Sequence, residues 1–576
     1  MNYLDEYNRW LNSSFTDDKT KEELRAIKDE EEIKDRFYKS LEFGTAGLRG
    51  IIGAGTNRMN IYTVSKTAFA IGQVILKKNL KEKGIVIARD VRHKSEEFER
   101  ISAEIFANLG IKTYVFDSIR PTPMLAYAVR YLKTAAGVMV TASHNPKVYN
   151  GYKVYGPKGS QILTDEADEI LQEIEKIDYT DIERLDYNEA LKKGLICQVD
   201  KEFDESYYKK VLDLKIYEGE DIDKDIKIIY TPLNGCGNIP VRHILKERGF
   251  KNVTVVKEQE NPDPDFKTVS FPNPEFIEVF DIGKKYANKV DADIIIATDP
   301  DSDRLRVLGR REKADYYGFS GNELSYLLVD YILKGLKSKN ILPQNGAMVR
   351  SIVSSDLIED IGKAYNIKCF ESLTGFKNIC NYANIWEKTD EYKFVFGYEE
   401  SIGYVVTDFV RDKDGVQIAM LVAEMAAFYK KNSISLYDKL QEIFKEYGYV
   451  SEFLTSIVLE GQKGAERIKR MMDKFRNENI SEFGGIRCKE KIDFINGYKD
   501  VGSSNVLKFI LNDKSWFSLR PSGTEPKIKL YIYTKDKDKN IGDKKINDLK
   551  ADILQKLENI KSVSYTHLTL PTILLV

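Results

Sequence analysis

Residues 135–155 read AAGVMVTASHNPKVYNGYKVY. The run Ala135–Val140 is apolar and too short for most helices, so it is expected to form a central strand. Thr141–Pro146 would then open a loop at that strand's carboxyl end, where doubly wound sheets bind their ligands. Ser143 and His144 stand side by side on this loop. A serine hydrolase would want a G-x-S-x-G elbow and a distant histidine base. The flanks here are Thr-Ala and His-Asn, and the other histidines are only His93, His243 and His567. On this peptide alone, an ordinary turn serine stays open beside a nucleophile.

Working outward, one order of parts occurs three times. GIVIARD (84–90) leads through a loop and a helical stretch to LGIKTYVF (109–116), IKIIYTPLNGCG (226–237) to RGFKNVTVV (248–256), and GAMVRSIVSS (346–355) to YNIKCFES (365–372). Buried strand, loop, amphipathic helix ending near Gly or Asn, then a second strand is the β-α-β pattern of a parallel sheet. Three related α/β units are the simplest reading. After about residue 450 the strand-like runs crowd together, as in NVLKFILNDKSWFSLRPSGTEPKIKLYIYT (505–534), which suits a smaller α+β domain with an antiparallel sheet. The acidic stretch Asp165–Asp186 reads as a solvated helix face joining units.

At 576 residues the chain should hold about three to five domains. Its 88 Lys and Arg against 90 Asp and Glu leave a formal charge of -2, so no overall pull toward nucleic acid or an acidic membrane is expected. Five scattered cysteines without C-x-x-C spacing argue against a disulfide framework or a zinc cage and fit a reducing cytoplasm. The start, MNYLDEYNRWLNSSF, lacks the basic end and apolar block of a signal peptide, and no run of 18 or more apolar residues follows. A soluble, cytoplasmic protein is expected. From Val563 onward, VSYTHLTLPTILLV drops every charged residue and resembles translated adapter sequence, so residues 563–576 are given no functional weight.

ADIIIATDPDSDRL (292–305) again sets a strand before a loop, with Asp299, Asp301 and Asp303 at alternate positions. Carboxylates so spaced can converge on one hard cation. An EF-hand fails here: Arg304 and Arg310 stand where it needs Gly and Glu, and the loop is entered from a strand. A divalent ion with open positions, such as magnesium that also takes a phosphate oxygen, is one reading, and a solvated acidic turn is the other. Between two strands, Arg520, Ser522, Gly523, Thr524 and Lys527 combine a guanidinium fork, hydroxyls and exposed amides, and read as a phosphate clamp. LEFGTAGLRGIIGAG (41–55) offers Arg49 on a Gly-rich turn without P-loop order. FVFGYEESIGY (394–404) carries Glu399 and Ser401, acceptors suited to sugar hydroxyls, and LTGFKNI (373–379) carries Thr374, Gly375 and Lys377. Singly, each of these is ordinary loop chemistry.

Together, TASHNP, DPDSDR, GYEESIG and RPSGTEPK occur in the order found in the α-D-phosphohexomutase superfamily, and the chain resembles its long phosphoglucomutase and phosphopentomutase-like branch from roughly Leu41 to Lys561. The resemblance implies a four-domain α/β architecture around a central cleft, three similar α/β domains followed by a smaller α+β one. The expected spans are 1–205, 206–320, 321–450 and 451–576. It also implies that Ser143 is a phosphoserine exchanging its phosphoryl group with a sugar monophosphate through glucose 1,6-bisphosphate, moving phosphate between C1 and C6. By that match Mg2+ is held by Asp299, Asp301, Asp303 and the Ser143 phosphate, with Arg49, His144, Lys153 and Arg304 offsetting negative charge. The Arg520–Lys527 loop would hold the phosphate that is not reacting, while Glu399, Ser401 and Thr374–Lys377 read the sugar.

Relatives of the bacterial phosphomannomutase type carry a histidine where this chain has Gly403. RDKDG (411–415) resembles the phosphoglucomutase type instead, which makes Lys413 the expected general acid/base and Lys153 the alternate. A lysine base needs its pKa lowered by burial or by nearby cations. Glucose phosphates are the expected partners, with mannose or pentose phosphates as rival substrates; a phosphatase and a non-catalytic sugar-phosphate sensor are further alternatives. Whether the protein is a monomer or a homodimer is not readable.

Overall fold

The computed structural model describes residues 2–44, 47–459, 461–522 and 527–560. The chain divides into two compact units at 440/441.

Three sheets build the first unit. The first orders its strands β1 (Gly47–Ile51), β2 (Ile85–Arg89), β3 (Thr113–Val115), β4 (Ala136–Val140), β5 (Tyr149–Tyr155) and β6 (Ile196–Gln198) as β1-β5-β4-β2-β3-β6. The second, from β7 (Lys227–Thr231), β8 (Asn252–Val255), β9 (Ile294–Thr298), β10 (Leu305–Glu312) and β11 (Asp315–Gly318), runs β11-β10-β9-β7-β8. The third, from β12 (Gly346–Ser351), β13 (Lys368–Ser372), β14 (Lys393–Glu399) and β15 (Gly403–Val406), runs β13-β12-β14-β15. β4 and β9 are buried at every residue, as strands covered by helices on both faces must be.

Each expected β-α-β unit is present as a parallel pair: β2 with β3, β7 with β8, β12 with β13. The sheets are nonetheless mixed rather than parallel throughout. In each, the last parallel strand turns directly into an antiparallel neighbour: β4 into β5, β9 into β10, β14 into β15. The connections 141–148, 299–304 and 400–402 are too short to carry a crossover, and a short connection permits only antiparallel pairing. The three sequence loops with the richest chemistry therefore occupy one and the same topological position.

Ahead of the first sheet, helices Tyr3–Asn12, Asp18–Ala26 and Glu30–Phe37 close over Trp10, which meets Phe15, Phe37, Tyr62 and Tyr179 edge-on or tilted. Arg36 Nη1 donates to Ala54 O at 3.0 Å, tying these helices to the segment that follows β1.

The second unit is a six-stranded antiparallel sheet in the order β16-β21-β20-β19-β18-β17, from β16 (Tyr449–Val458), β17 (Glu482–Phe483), β18 (Ile486–Asp493), β19 (Leu507–Leu511), β20 (Trp516–Pro521) and β21 (Lys527–Asp536). Helices Gly461–Asn477 and Lys539–Glu558 bury Met471, Phe475, Leu549 and Ile553 against it. This is the α+β domain expected from the sequence. Among the described residues no helix is long and apolar enough to cross a membrane.

One glycine is required where two loops of the second sheet meet. A Cβ on Gly235 would lie 2.4 Å from Pro300 Cα and 2.5 Å from its carbonyl oxygen, and backbone cannot rotate out of the way. Gly235→Ala should therefore destabilise the protein by about 1–3 kcal/mol, the usual cost of overpacking, read as a lower urea midpoint.

Candidate active site

Ser143 sits on the β4–β5 connection with φ 52° and is 3 % exposed. The left-handed conformation costs an L-residue about 1–2 kcal/mol. Thr141 Oγ1 accepts from Ser143 N at 2.8 Å, and the turn aims Ser143 Oγ at the second domain, where it donates to Asp299 Oδ2 at 2.8 Å. Its other neighbour is His144 Nδ1 at 3.1 Å.

The β9–β10 loop brings Asp299, Asp301 and Asp303 together, all at most 1 % exposed, with one carboxylate oxygen of each within 4.8 Å of the others. All three domains of the first unit fix its backbone. Pro300 O accepts from Cys236 N at 2.7 Å, Asp301 O from Thr122 N at 2.9 Å, and Ser302 O from Gly415 N at 3.0 Å. Lys153, on β5, reaches Asp301 Oδ2 at 2.8 Å and Asp303 Oδ2 at 3.2 Å; Lys413 reaches Asp303 Oδ2 at 3.1 Å. Two buried acceptors, Asp301 Oδ1 and Asp303 Oδ1, have no hydrogen-bond partner among the described residues. Buried carboxylate oxygens do not stay unpaired without cost. Converging hard-oxygen ligands of this kind fit a divalent cation such as Mg2+.

Burial, and then the charges of Asp301 and Asp303, push the Asp299 carboxyl well above the ordinary range. For Asp303 burial acts the same way, but Lys153, Lys413 and Arg304 outweigh it and hold the group below its ordinary value. Burial would lower the pKa of both lysines; Asp301 and Asp303 reverse this for Lys153, and Asp303 and Asp412 for Lys413. Neither candidate base thus meets the expected condition of a lowered pKa, because carboxylates rather than cations dominate their surroundings. His144 departs from expectation too. Burial first, then Arg304 and Arg49, hold it neutral, so it offers a hydrogen bond instead of offsetting charge.

Arg49, on β1, is exposed and donates to Asn145 Oδ1 of the serine loop at 3.1 Å. Arg304 lies between Glu275 Oε2 at 3.4 Å and Asp303 Oδ1 at 4.0 Å. In the third domain Glu399 ends β14 and accepts from Gly375 N at 2.5 Å, which joins the two peptides expected to read the sugar; burial raises its pKa. Ser401, half-buried, follows on the β14–β15 turn, whose Ile402 has φ 54°. Thr374 O accepts from Asn378 Nδ2 at 2.9 Å, and Lys377 Nζ donates to Ile162 O of the first domain at 3.1 Å.

Gly403 pairs with Arg304 across the second and third domains. A Cβ on it would lie 2.2 Å from Lys413 Cδ and 2.9 Å from Cγ, so the lysine stem fills the space a side chain at 403 would take.

In the second unit, Arg520 on β20 pairs with Lys529 on β21, and Ser522 N donates to Lys527 O at 2.8 Å, two residues of the expected phosphate clamp. Gly523 and Thr524 lie outside the described residues.

Sequence reasoning missed Thr122, whose Oγ1 donates to Asp301 Oδ2 at 2.7 Å, and Asp412, which accepts from Tyr155 OH at 2.6 Å and Gln161 Nε2 at 3.0 Å beside Lys413. It also missed Arg92, two residues beyond Asp90. GIVIARD had been read as a strand, and the carboxyl-end rule that singled out Ser143 applies equally to the loop that follows it.

Because Asp299 must lose its proton to ligate, metal affinity should rise with pH through the range in which that carboxyl ionises, and binding should release protons. Mn2+ titration calorimetry in buffers of different ionisation heat checks both. Asp301→Asn should weaken binding by at least about 10-fold.

Four profiles of one family match the chain in order. Phosphoglucomutase/phosphomannomutase alpha/beta/alpha domains I, II and III match residues 40–181, 205–312 and 320–447, and the C-terminal domain matches 485–542. A phosphoglucomutase of Staphylococcus epidermidis is 39% identical over 529 residues, covering 90% of this chain and 95% of its own. One from Staphylococcus aureus is 36% identical over 530 residues, with 90% and 93% covered. The fold is shared with the Paramecium phosphoglucomutase pp63/parafusin, at TM-score 0.68 and 18% identity, covering 91% of this chain and 95% of that one. It is shared also with a phosphoglucomutase/phosphomannomutase family protein of Burkholderia thailandensis, at TM-score 0.67 and 18% identity, covering 90% and 97%. With each family domain matched in sequence and the curated relatives aligned nearly end to end, the chain belongs to the phosphoglucomutase/phosphomannomutase family.

Proposed function

We propose that this protein is an isomerase, a phosphoglucomutase that interconverts glucose 1-phosphate and glucose 6-phosphate with Ser143 as the phosphoryl carrier. The observation that carries the reading is the 2.8 Å hydrogen bond from Ser143 Oγ to Asp299 Oδ2. It sets the Ser143 hydroxyl of one domain against the carboxylate triad of the next, which supports Ser143 as the nucleophile in a chain of this family. The division at about 205, 320 and 450 goes with the same reading.

In this mechanism the phosphorylated Ser143 gives its PO3 group to a hydroxyl of the bound sugar monophosphate. The new O–P bond forms as the Oγ–P bond breaks, the hydroxyl proton leaves to a base, and glucose 1,6-bisphosphate results. After the bisphosphate turns over, Ser143 takes back the other phosphoryl group. Held by Asp299, Asp301 and Asp303, Mg2+ would supply charge neutralisation at the phosphoryl oxygens. Phosphoryl transfer depends mainly on positioning and on positive charge around the moving group. Arg49, Lys153 and Arg304 supply that charge, and neutral His144 donates or accepts one hydrogen bond at Ser143. Glu399 and Ser401 hold sugar hydroxyls, aided by Thr374, Gly375 and Lys377. Arg520, Ser522, Gly523, Thr524 and Lys527 form the clamp for the phosphate that does not react.

Lys413 is the proposed proton carrier at the sugar hydroxyl. Asp303 and Asp412 hold it as the ammonium, so it takes the hydroxyl proton in the first transfer only where the loaded site weakens that pull, and it returns a proton to the sugar oxygen in the second. Lys153, the alternate, faces the same carboxylates.

Ser143→Ala should reduce interconversion by about 10³-fold or more, and Lys413→Met by about 10²–10⁴-fold with KM less affected. Comparing kcat/KM for glucose, mannose and ribose 1-phosphates with catalytic bisphosphate present tests the substrate. A preference for mannose or ribose would reassign the enzyme within its family, and phosphate release without isomerised sugar would make it a phosphatase.

A further inference from the structure

Arg92 follows β2 on a loop that none of the roles above uses, and its side chain is wholly buried. Its guanidinium serves four backbone carbonyls of the serine loop and its exit. Nη2 donates to Ser143 O at 2.5 Å and Asn145 O at 2.6 Å, and Nη1 to Pro146 O at 2.9 Å and Tyr149 O at 3.1 Å. Nε faces Asp90 Oδ2 at 3.3 Å. That same oxygen accepts from Thr141 Oγ1 at 2.6 Å, and Thr141 Oγ1 in turn accepts from Ser143 N. One ion pair thus holds Ser143 from both sides of its Cα, through its N–H and its carbonyl.

The second domain closes the other side of Arg92. The guanidinium lies 5.2 Å from the ring centroid of Phe266, a residue 1 % exposed with φ 46°. Beside it, Asp265 Oδ1 meets Lys147 Nζ and His93 Nε2, each at 3.2 Å, so the same segment also grips the first domain.

We propose that Arg92 is a positioning residue for the Ser143 nucleophile, and that Phe266 makes its hold depend on the second domain. The inference rests on Ser143 being the phosphoryl carrier. Ser143 keeps a left-handed backbone that an L-residue adopts only under constraint. Releasing its carbonyl frees the peptide that sets the direction of Oγ toward Asp299. Arg92 touches no group assigned to the sugar, so the chemical step should suffer and substrate binding should not. A planar fork with donors on both terminal nitrogens reaches all four acceptors; an ammonium cannot.

The test is steady-state kinetics of the full-length protein with glucose 1-phosphate, Mg2+ and glucose 1,6-bisphosphate, together with the rate at which Ser143 gains phosphate, followed by intact mass. Arg92→Ala should lower kcat and the phosphorylation rate about 100-fold with KM within about 3-fold, the signature of a misplaced group. Arg92→Lys should remain well below wild type although it keeps the charge, and guanidinium ion at sub-denaturing concentration should restore Arg92→Ala where ammonium does not. Phe266→Leu, a milder change that leaves the guanidinium in place, should lower kcat by about 5-fold or more. An Arg92→Ala kcat within about 3-fold of wild type, a loss confined to KM, or recovery by ammonium equal to that by guanidinium would overturn the proposal. Should Arg92→Ala fail to fold, Phe266→Leu decides, and an unchanged kcat overturns it. A wild-type protein without mutase activity would instead sink the assignment of Ser143, and this inference with it.

Discussion

Three carboxylates on five consecutive residues, all out of water, hold their places only if positive charge comes to meet them. The first domain sends Lys153 and the third sends Lys413, while Ser143 and Thr122 donate hydroxyls to the same loop. The demand for charge compensation therefore joins the three domains and, in doing so, assembles the site. Removing one partner of such a buried pair costs about 3–5 kcal/mol, because the other charge is left stranded. Two carboxylate oxygens still accept no hydrogen bond among the described residues. Stability and metal chemistry thus draw on one cluster, and the ligands stay fixed without depending on side-chain packing alone.

The three α/β domains divide the chemistry by repetition. Each puts its functional loop where the last parallel strand turns into an antiparallel neighbour, and each loop contains one non-glycine residue in the left-handed region: Ser143 at φ 52°, Ser302 at 53°, Ile402 at 54°. A backbone that must reverse within a few residues while its carbonyls meet other domains needs that conformation at one point. One shape carries Ser143, the proposed nucleophile, in the first domain, a carboxylate triad in the second, and Glu399 and Ser401, the proposed sugar acceptors, in the third. Only the side chains differ.

This repetition also explains what was legible in the sequence. Ala135–Val140, Ile294–Thr298 and Lys393–Glu399 are short apolar runs ending in loops rich in polar residues, so strand, loop and candidate chemistry could be read together. The spacing of Asp299, Asp301 and Asp303 conveyed a cation site because their convergence is local. Effects that depend on residues far apart in the chain were not legible. Lys413 was expected to have a lowered pKa, but Asp303, 110 positions away in sequence, reverses the shift. His144 reads from the sequence as a cation, but burial first, and then Arg304 and Arg49, lower its pKa in the folded chain. Mixed sheets escaped notice because pairing direction follows from connection length, not from the composition of either strand.

Gly403 shows how such a long-range constraint works. A side chain at 403 and the Lys413 stem claim one volume, since a Cβ there would come within 2.2 Å of Cδ. Either position can bring a titratable group toward the triad, but not both in this arrangement. A residue at 403 would act from the strand end beside Glu399, whereas Lys413 enters from the loop beyond β15 and brings Asp412 with it. Asp412 is in turn fixed by Tyr155 and Gln161 of the first domain. Choosing a glycine at 403 thus places the ionisation of the basic group under the control of two carboxylates, Asp303 and Asp412. The exchange of one side chain for a hydrogen atom decides which residue fills that volume.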